Sequence, residues 1–292
     1  MRAPPVPGTT PACKVTSVDD SVITAFNDSA SEYAALGAPL LAPATDLVLD
    51  RLGLKSGGHL VDLACGPGTI ALPASRRVGR GGSVIGIDLA ERQLALARQG
   101  TGPGPIVRFQ RQDACAPSLG DRSADAVACG LGLPYFREPV RAVREAVRIA
   151  RSGAPLIWTA WGAPFLGRPG ERFLGTLTRN DIPLPLPNLL HTTESLAQIA
   201  FRAGMQDIVI EEHDIDYHFP NFDAWWSMLA AFALRVTVEA AAAAPLPELL
   251  HLDEPPPPPT PIADQLRADP ATVDADGGVV GRMRLLLLSG HA

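Results

Sequence analysis

The chain has 292 residues, 46% hydrophobic and 19% charged, a balance that excludes both a fully disordered polymer and a peptide-sized scaffold. Its formal net charge of -6 and pI near 5.5 exclude a broad basic surface, so nucleic acid and anionic membranes are set aside as partners. The cysteines Cys13, Cys65, Cys115 and Cys129 lack a C-x-x-C spacing and are too sparse for a secreted disulfide scaffold, so free thiols in a reducing compartment are expected, and no metal site.

Residues 1–20 are Pro- and Thr-rich without periodicity and predict a mobile arm. The leading MRAPPVPGTTPACK lacks the apolar centre of a signal peptide. The most apolar helical stretch, 222–244, is interrupted by Asp223, Arg235 and Glu239, so a cytoplasmic chain without a membrane span is expected. Over 21–56, Ala, Leu and Val recur at helical spacing, and the interruption Gly37-Ala38-Pro39 predicts two helices joined there.

From 57 to 162 the rhythm changes. Short apolar runs at 59–64, 83–88, 106–110, 124–129 and 154–161 suit buried strands, with helical periods at 91–99 and 139–150 between them. Strands alternating with helices predict parallel β-α-β units and a doubly wound α/β sheet. The stretch 163–192, rich in Pro and Gly as far as 188, reads as a lid inserted over the ligand edge of the sheet. The C-terminal part, 193–292, resumes with a helix at 193–203 closed by Gly204 and an alternating strand at 207–219. The helical 222–244, a Pro-rich linker at 255–259 and a terminal strand at 282–288 follow.

The strongest chemical signal is VDLACGPGTIA at 61–71, which sets a buried strand before Gly66-Pro67-Gly68 and a helix after it. The glycines permit a tight turn and close backbone approach, and the helix start offers unpaired N–H groups. Twenty residues past Gly68, Asp88 ends the next strand, where a carboxylate accepts both hydroxyls of a ribose. A nucleoside cofactor follows from the combination.

In a dinucleotide site the first strand is wholly apolar, whereas Asp62 lies inside this one. The string D-L-A-C-G-P-G resembles the first motif of class I S-adenosylmethionine (SAM) dependent methyltransferases, in the ubiquinone/menaquinone-biosynthesis-like small-molecule branch. The resemblance extends through Asp113-Ala114 in FQRQDACAP and through SADAVACGLGLPYFREPVRAVREAVRIARSGAPLIWTAWG at 123–162. It implies a Rossmann-like, seven-stranded, mostly parallel sheet with helices on both faces and the last strand antiparallel. Asp62 and the loop Ala64, Cys65, Gly66 and Gly68 would then serve the methionine part of SAM, and Asp88 the ribose. Leu89 and Gln93 would border the adenine, Asp113 with Ala114 would receive its exocyclic amine, and Cys129 would lie below the sulfonium. Tyr33, in SEYAAL, matches a leading-helix tyrosine of the family that touches the cofactor.

A sulfonium methyl is already activated, so the protein's main task is to hold a nucleophile in line with it. His191, after the Pro-rich insertion, is the candidate general base, and a polar loop histidine is its plain reading. Arg168, Arg172 and Arg179 are candidates for an anion clamp, with a solvated helix face the plainer account. Leu133, within GLGLPYF, replaces the Asn or Asp that amino-methyltransferases of DNA and protein carry, which argues against an adenine-modifying enzyme. The expected activity is methyl transfer to oxygen, carbon or nitrogen of a small, largely apolar acceptor, in specialised metabolism, with a homodimer left open. The alternatives are a SAM-binding cyclase or isomerase without methyl transfer, and an NAD-dependent oxidoreductase.

Overall fold

The computed structural model describes residues 18–102, 106–180, 182, 190–229 and 262–292; the readings on the N-terminal arm, on 230–244 and on the Pro-rich linker lie outside them. The chain opens with α1 (Asp20–Asp28), α2 (Ala30–Glu32), a π-helical turn (Tyr33–Gly37), α3 (Ala38–Leu40) and α4 (Ala42–Arg51). The helix break expected at Gly37-Ala38-Pro39 is not there. Those residues stay helical, because Pro39 falls in the first turn of α3, where its missing N–H costs little. The direction changes at Ser29 and Leu41 instead, and the Ser29 hydroxyl donates back to the Ala25 carbonyl at 2.8 Å, a bond that bends helices.

The alternating region contains β1 (His59–Leu63), α5 (Ala71–Val78), β2 (Ser83–Asp88), α6 (Glu91–Gln99), β3 (Ile106–Arg111), β4 (Ala126–Cys129), α7 (Pro139–Ile149) and β5 (Pro155–Gly162). After it come α8 (Gly167–Arg179), the two-residue β6 (Leu190–His191), α9 (Thr193–Ala203), β7 (Gln206–Phe219), α10 (Phe222–Leu229), α11 (Ile262–Ala268) and β8 (Val279–His291). The sheet runs β3-β2-β1-β4-β5-β8-β7, with β6 beside the end of β5. Strands β1 to β5 are mutually parallel, and β8 enters antiparallel between β5 and β7. This is the Rossmann-like sheet with a reversed last strand that the motifs imply.

Strand alternation divides the core. Leu60, Ala126 and Ile157 face α4, α5 and α6, while Val61, Val127 and Trp158 face the side covered by α7 and α9. Helix α7 buries Ala142, Val143, Ala146 and Ile149, a stripe at helical spacing. A reciprocal Thr192–Ser195 capping box starts α9, and Gly204, at φ 91°, stops it. Strand β8 is longer than its apolar run, because Val280, Arg282 and Arg284 face outward at its open end, and Arg282 and Arg284 pair with Asp216 and Asp214 on β7.

The arginines considered for an anion clamp serve the fold. Arg168 donates to the carbonyls of Ala271 and Pro270 at 2.9 and 2.8 Å, Arg172 pairs with Asp269 at 3.1 Å, and Arg179 donates to Thr176 at 2.8 Å. Arg168 and Arg172 tie α8 to the segment after α11, and Arg179 stays within the last turn of α8. Among the described residues no helix is long and apolar enough to cross a membrane, and no cluster of His, Cys, Asp and Glu could hold a metal ion.

Candidate functional site

The order of the strands reverses between β1 and β4, and ligands of such sheets bind outside the carboxyl ends at that crevice. The turn that leaves β1 there has left-handed backbone at Ala64, Gly66 and Gly68, with φ of 53°, 52° and 86°. Its shape is held by β2: the N–H of Cys65 donates to the Ile87 carbonyl at 3.0 Å and that of Gly66 to Asp88 Oδ2 at 2.8 Å. Asp88 Oδ1 accepts the Ala90 N–H at 2.8 Å, so one carboxylate fixes both the glycine turn and the entry to α6. Burial raises the pKa of Asp88, against the backbone N–H groups that favour its charge.

Asp62 lies beneath this turn. Its Oδ2 accepts the N–H of Ala71 at 3.0 Å, satisfying the first residue of α5, while Oδ1 is buried without a hydrogen-bond partner. Desolvation pushes its pKa up to about 8, opposed by the Ala71 N–H and assisted by the Asp88 charge. A carboxyl whose folded-state pKa lies above its unfolded value contributes stability that is fully present below about pH 4 and lost as pH rises through about 8. Urea midpoints of the ligand-free protein should therefore fall from pH 5 to pH 8, and Asp62→Asn should flatten that slope. An identical slope in the variant would assign the pH dependence to other groups.

Beside the turn lies an open cleft of about 730 Å³, counting the solvent space at its mouth. Ala64, Gly66, Asp88, Leu89, Gln93, Ala114 and Tyr33 all line it, so these residues meet around one space. The opposite wall comes from Val22, Ile23 and Phe26 of α1, and from Gly130-Leu131-Gly132, Tyr135 and Phe136 after β4. Sequence reasoning missed these. The Phe26 ring stands edge-on to Tyr135 at 4.9 Å and to Tyr33 at 6.0 Å between centroids. Burial raises the pKa of both tyrosines beyond the ordinary phenol range, so both stay protonated. A second cavity of about 270 Å³ adjoins across Tyr33, Gly130 and Leu131, with Thr45, Thr69 and Thr159 in its walls.

The other expected site residues are not part of the cleft lining. Cys65 packs under Gly86, where an added Cβ would come 2.9 Å from its sulfur, and Gly68 sits against Leu72 and Phe109. Cys129 is fully buried next to Gly132, and Asp113 closes a local turn by accepting the Cys115 N–H at 2.8 Å. His191 lines neither of these two cavities. The pairing of β6 with β5 buries it, its Nδ1 is 3.4 Å from the Ser195 hydroxyl that closes the α9 cap, and burial lowers its pKa. The features that fit a nucleoside are the Asp88 carboxylate in the cleft wall, an open space beside Gly66 whose nearest atom to an added Cβ is Tyr33 Cε1 at 3.9 Å, and a buried, unpartnered Oε1 on Gln93.

Residues 61–158 match a family model described as a methyltransferase domain. A 2-phytyl-1,4-naphthoquinone methyltransferase of Nostoc punctiforme is 30% identical over 149 residues, which is 50% of this chain and 64% of that protein, under two thirds of its length. Among solved structures, a Bacillus halodurans protein described as a methyltransferase superposes with a TM-score of 0.56 at 18% identity, covering 85% of this chain and 97% of its own. The [4+2]-cyclase SpnF superposes at 0.51 and 20% identity, over 86% of this chain and 81% of its own. At such identities the superpositions speak for the fold alone.

Proposed function

We propose, from the premise that residues 61–158 belong to the methyltransferase domain family, that the chain binds SAM in this cleft and transfers its methyl group to a small, largely apolar metabolite. The methylated atom is oxygen, carbon or nitrogen, and specialised metabolism is the setting we favour. The observation that carries the reading is Asp88: its carboxylate lies in the cleft wall and holds the Gly66 N–H, joining a hydroxyl-binding group to the glycine turn. Bound SAM supplies a methyl group already activated on a sulfonium.

The residues then divide the work. Asp88 accepts the ribose hydroxyls through lone pairs that its backbone donors leave available. Leu89 and Ala114 border the base, and Gly66 leaves room beside Tyr33 for the amino-acid tail. Val22, Ile23 and Phe26 exclude water from the acceptor side and favour an apolar molecule. Tyr33 and Tyr135 keep their protons and do not act as bases. His191 has no part in this reading.

Calorimetric titration with SAM, S-adenosylhomocysteine (SAH) and NAD in parallel tests it. Binding of the two sulfur nucleosides without NAD is expected; binding of NAD alone would overturn the cofactor assignment. A second reading keeps SAM in the cleft without methyl transfer, on a fold that the [4+2]-cyclase shares. SAH formed in step with acceptor turnover decides for transfer, and product formed without SAH decides for the second reading.

A further inference from the structure

The first turn of α6 grips the C-terminal end of α1. The Arg92 N–H donates to Asn27 Oδ1 at 2.9 Å, the Arg92 guanidinium pairs with Asp28 at 3.3 Å, and Gln93 Nε2 donates to the Phe26 carbonyl at 3.1 Å. Phe26 and Gln93 both line the cleft, and in the reading above Phe26 belongs to the acceptor side and Gln93 to the nucleoside side. One side chain thus touches both.

Gln93 is 1% exposed, and its Oε1 is buried with no hydrogen-bond partner. A buried carbonyl in that state is destabilised, and a ligand N–H or O–H would relieve it. The amide cannot reverse to satisfy itself, since Nε2 would then leave Phe26. Asp113, to which the motif resemblance gives the exocyclic amine, lies outside the cleft lining and uses Oδ1 for the Cys115 N–H.

We propose that Gln93 couples the two halves of the cleft: Oε1 accepts a hydrogen from the bound nucleoside while Nε2 holds Phe26, so that cofactor binding fastens α1 over the acceptor space. The donor is a ribose hydroxyl or the exocyclic amine of the base, which present the same chemistry to an amide oxygen. Binding is then ordered, cofactor before acceptor. The inference rests on the SAM reading above.

The test measures SAH, its 2′-deoxy analogue and its inosine analogue on the wild type and on Gln93→Met, with Gln93→Leu as a second apolar variant. The apolar replacements remove an unsatisfied oxygen, so the ligand-free variants are expected to fold. SAH should bind each variant about tenfold more weakly than it binds the wild type. The analogue lacking the partner group should show no such further loss, which identifies the donor by a double-mutant cycle. Amide exchange over 20–28 should slow on SAH binding in the wild type and not in the variants. If SAH and both analogues lose affinity alike, if Gln93→Met binds SAH as the wild type does, or if α1 is protected equally in both, the coupling is overturned while the SAM reading stands. Failure of SAH to bind the wild type overturns both.

Discussion

Replacing Asp88 with alanine is expected to weaken SAH binding by two orders of magnitude or more while moving the melting temperature by only a few degrees. Hydrogen bonds to a charged acceptor contribute roughly 1.5–3 kcal/mol each, so losing two ribose hydroxyl contacts amounts to about 10²–10⁴ in affinity. Two opposed effects limit the change in stability. The N–H groups of Gly66 and Ala90 lose their acceptor, but they lie in a cleft wall that water can enter; the fold is also relieved of a buried carboxylate whose raised pKa marks it as costly. Asp88→Asn, which keeps one acceptor oxygen without the charge, should fall between alanine and the wild type. Calorimetry with SAH, paired with thermal melting of each variant, checks this. Unchanged affinity in a normally melting Asp88→Ala protein would remove the ribose from this position and with it the basis of the functional reading.

The position of Asp88 was legible because β2 is short, largely apolar and bounded by Gly81-Gly82 before it and the start of α6 after it. Local signals of that kind also gave the limits of α6 and of α9, where Gly204 is left-handed. The wall of the cleft had no such signal. Val22, Ile23 and Phe26 look like any apolar helix face, and only the tertiary placement of α1 against α6 turns that face toward the cleft. Leu131 adopts φ of 58° without a glycine to announce it, supported by its N–H donating to Thr159 Oγ1 at 3.0 Å, a contact between residues 28 positions apart. The residues that fell outside the cleft lining did so for a local reason: one step along the chain separates Ala114, which lines the cleft, from Asp113, whose carboxylate caps its own turn. Motif position identifies the turn; it does not say which of two neighbouring side chains reaches the ligand.

The two glycines of the turn are expected to respond oppositely to alanine, because they are glycine for different reasons. At Gly66 the backbone is left-handed, φ 52°, but an added Cβ meets nothing closer than Tyr33 Cε1 at 3.9 Å. The fold should lose only about 1–2 kcal/mol from the backbone. The new methyl group, however, occupies cleft space, and SAH affinity should drop by at least roughly tenfold through overlap with the ligand. At Gly68, φ is 86° and the Cβ would come 2.9 Å from Leu72 Cγ and 3.1 Å from Phe109 Cζ. Phe109 has no room to retreat, since the same ring already covers Gly86, where an added Cβ would stand 2.7 Å from its Cδ1. Backbone strain and overpacking together should cost about 2–5 kcal/mol and lower the melting temperature by roughly 5–15 °C. Thermal melting and SAH titration of both variants make a crossed test: Gly66→Ala should lose only a few degrees of melting temperature but lose ligand, and Gly68→Ala should show the larger fall in melting temperature. A Gly66→Ala protein that binds SAH normally would place the ligand away from the glycine turn, because the added methyl group stands in the space beside Tyr33.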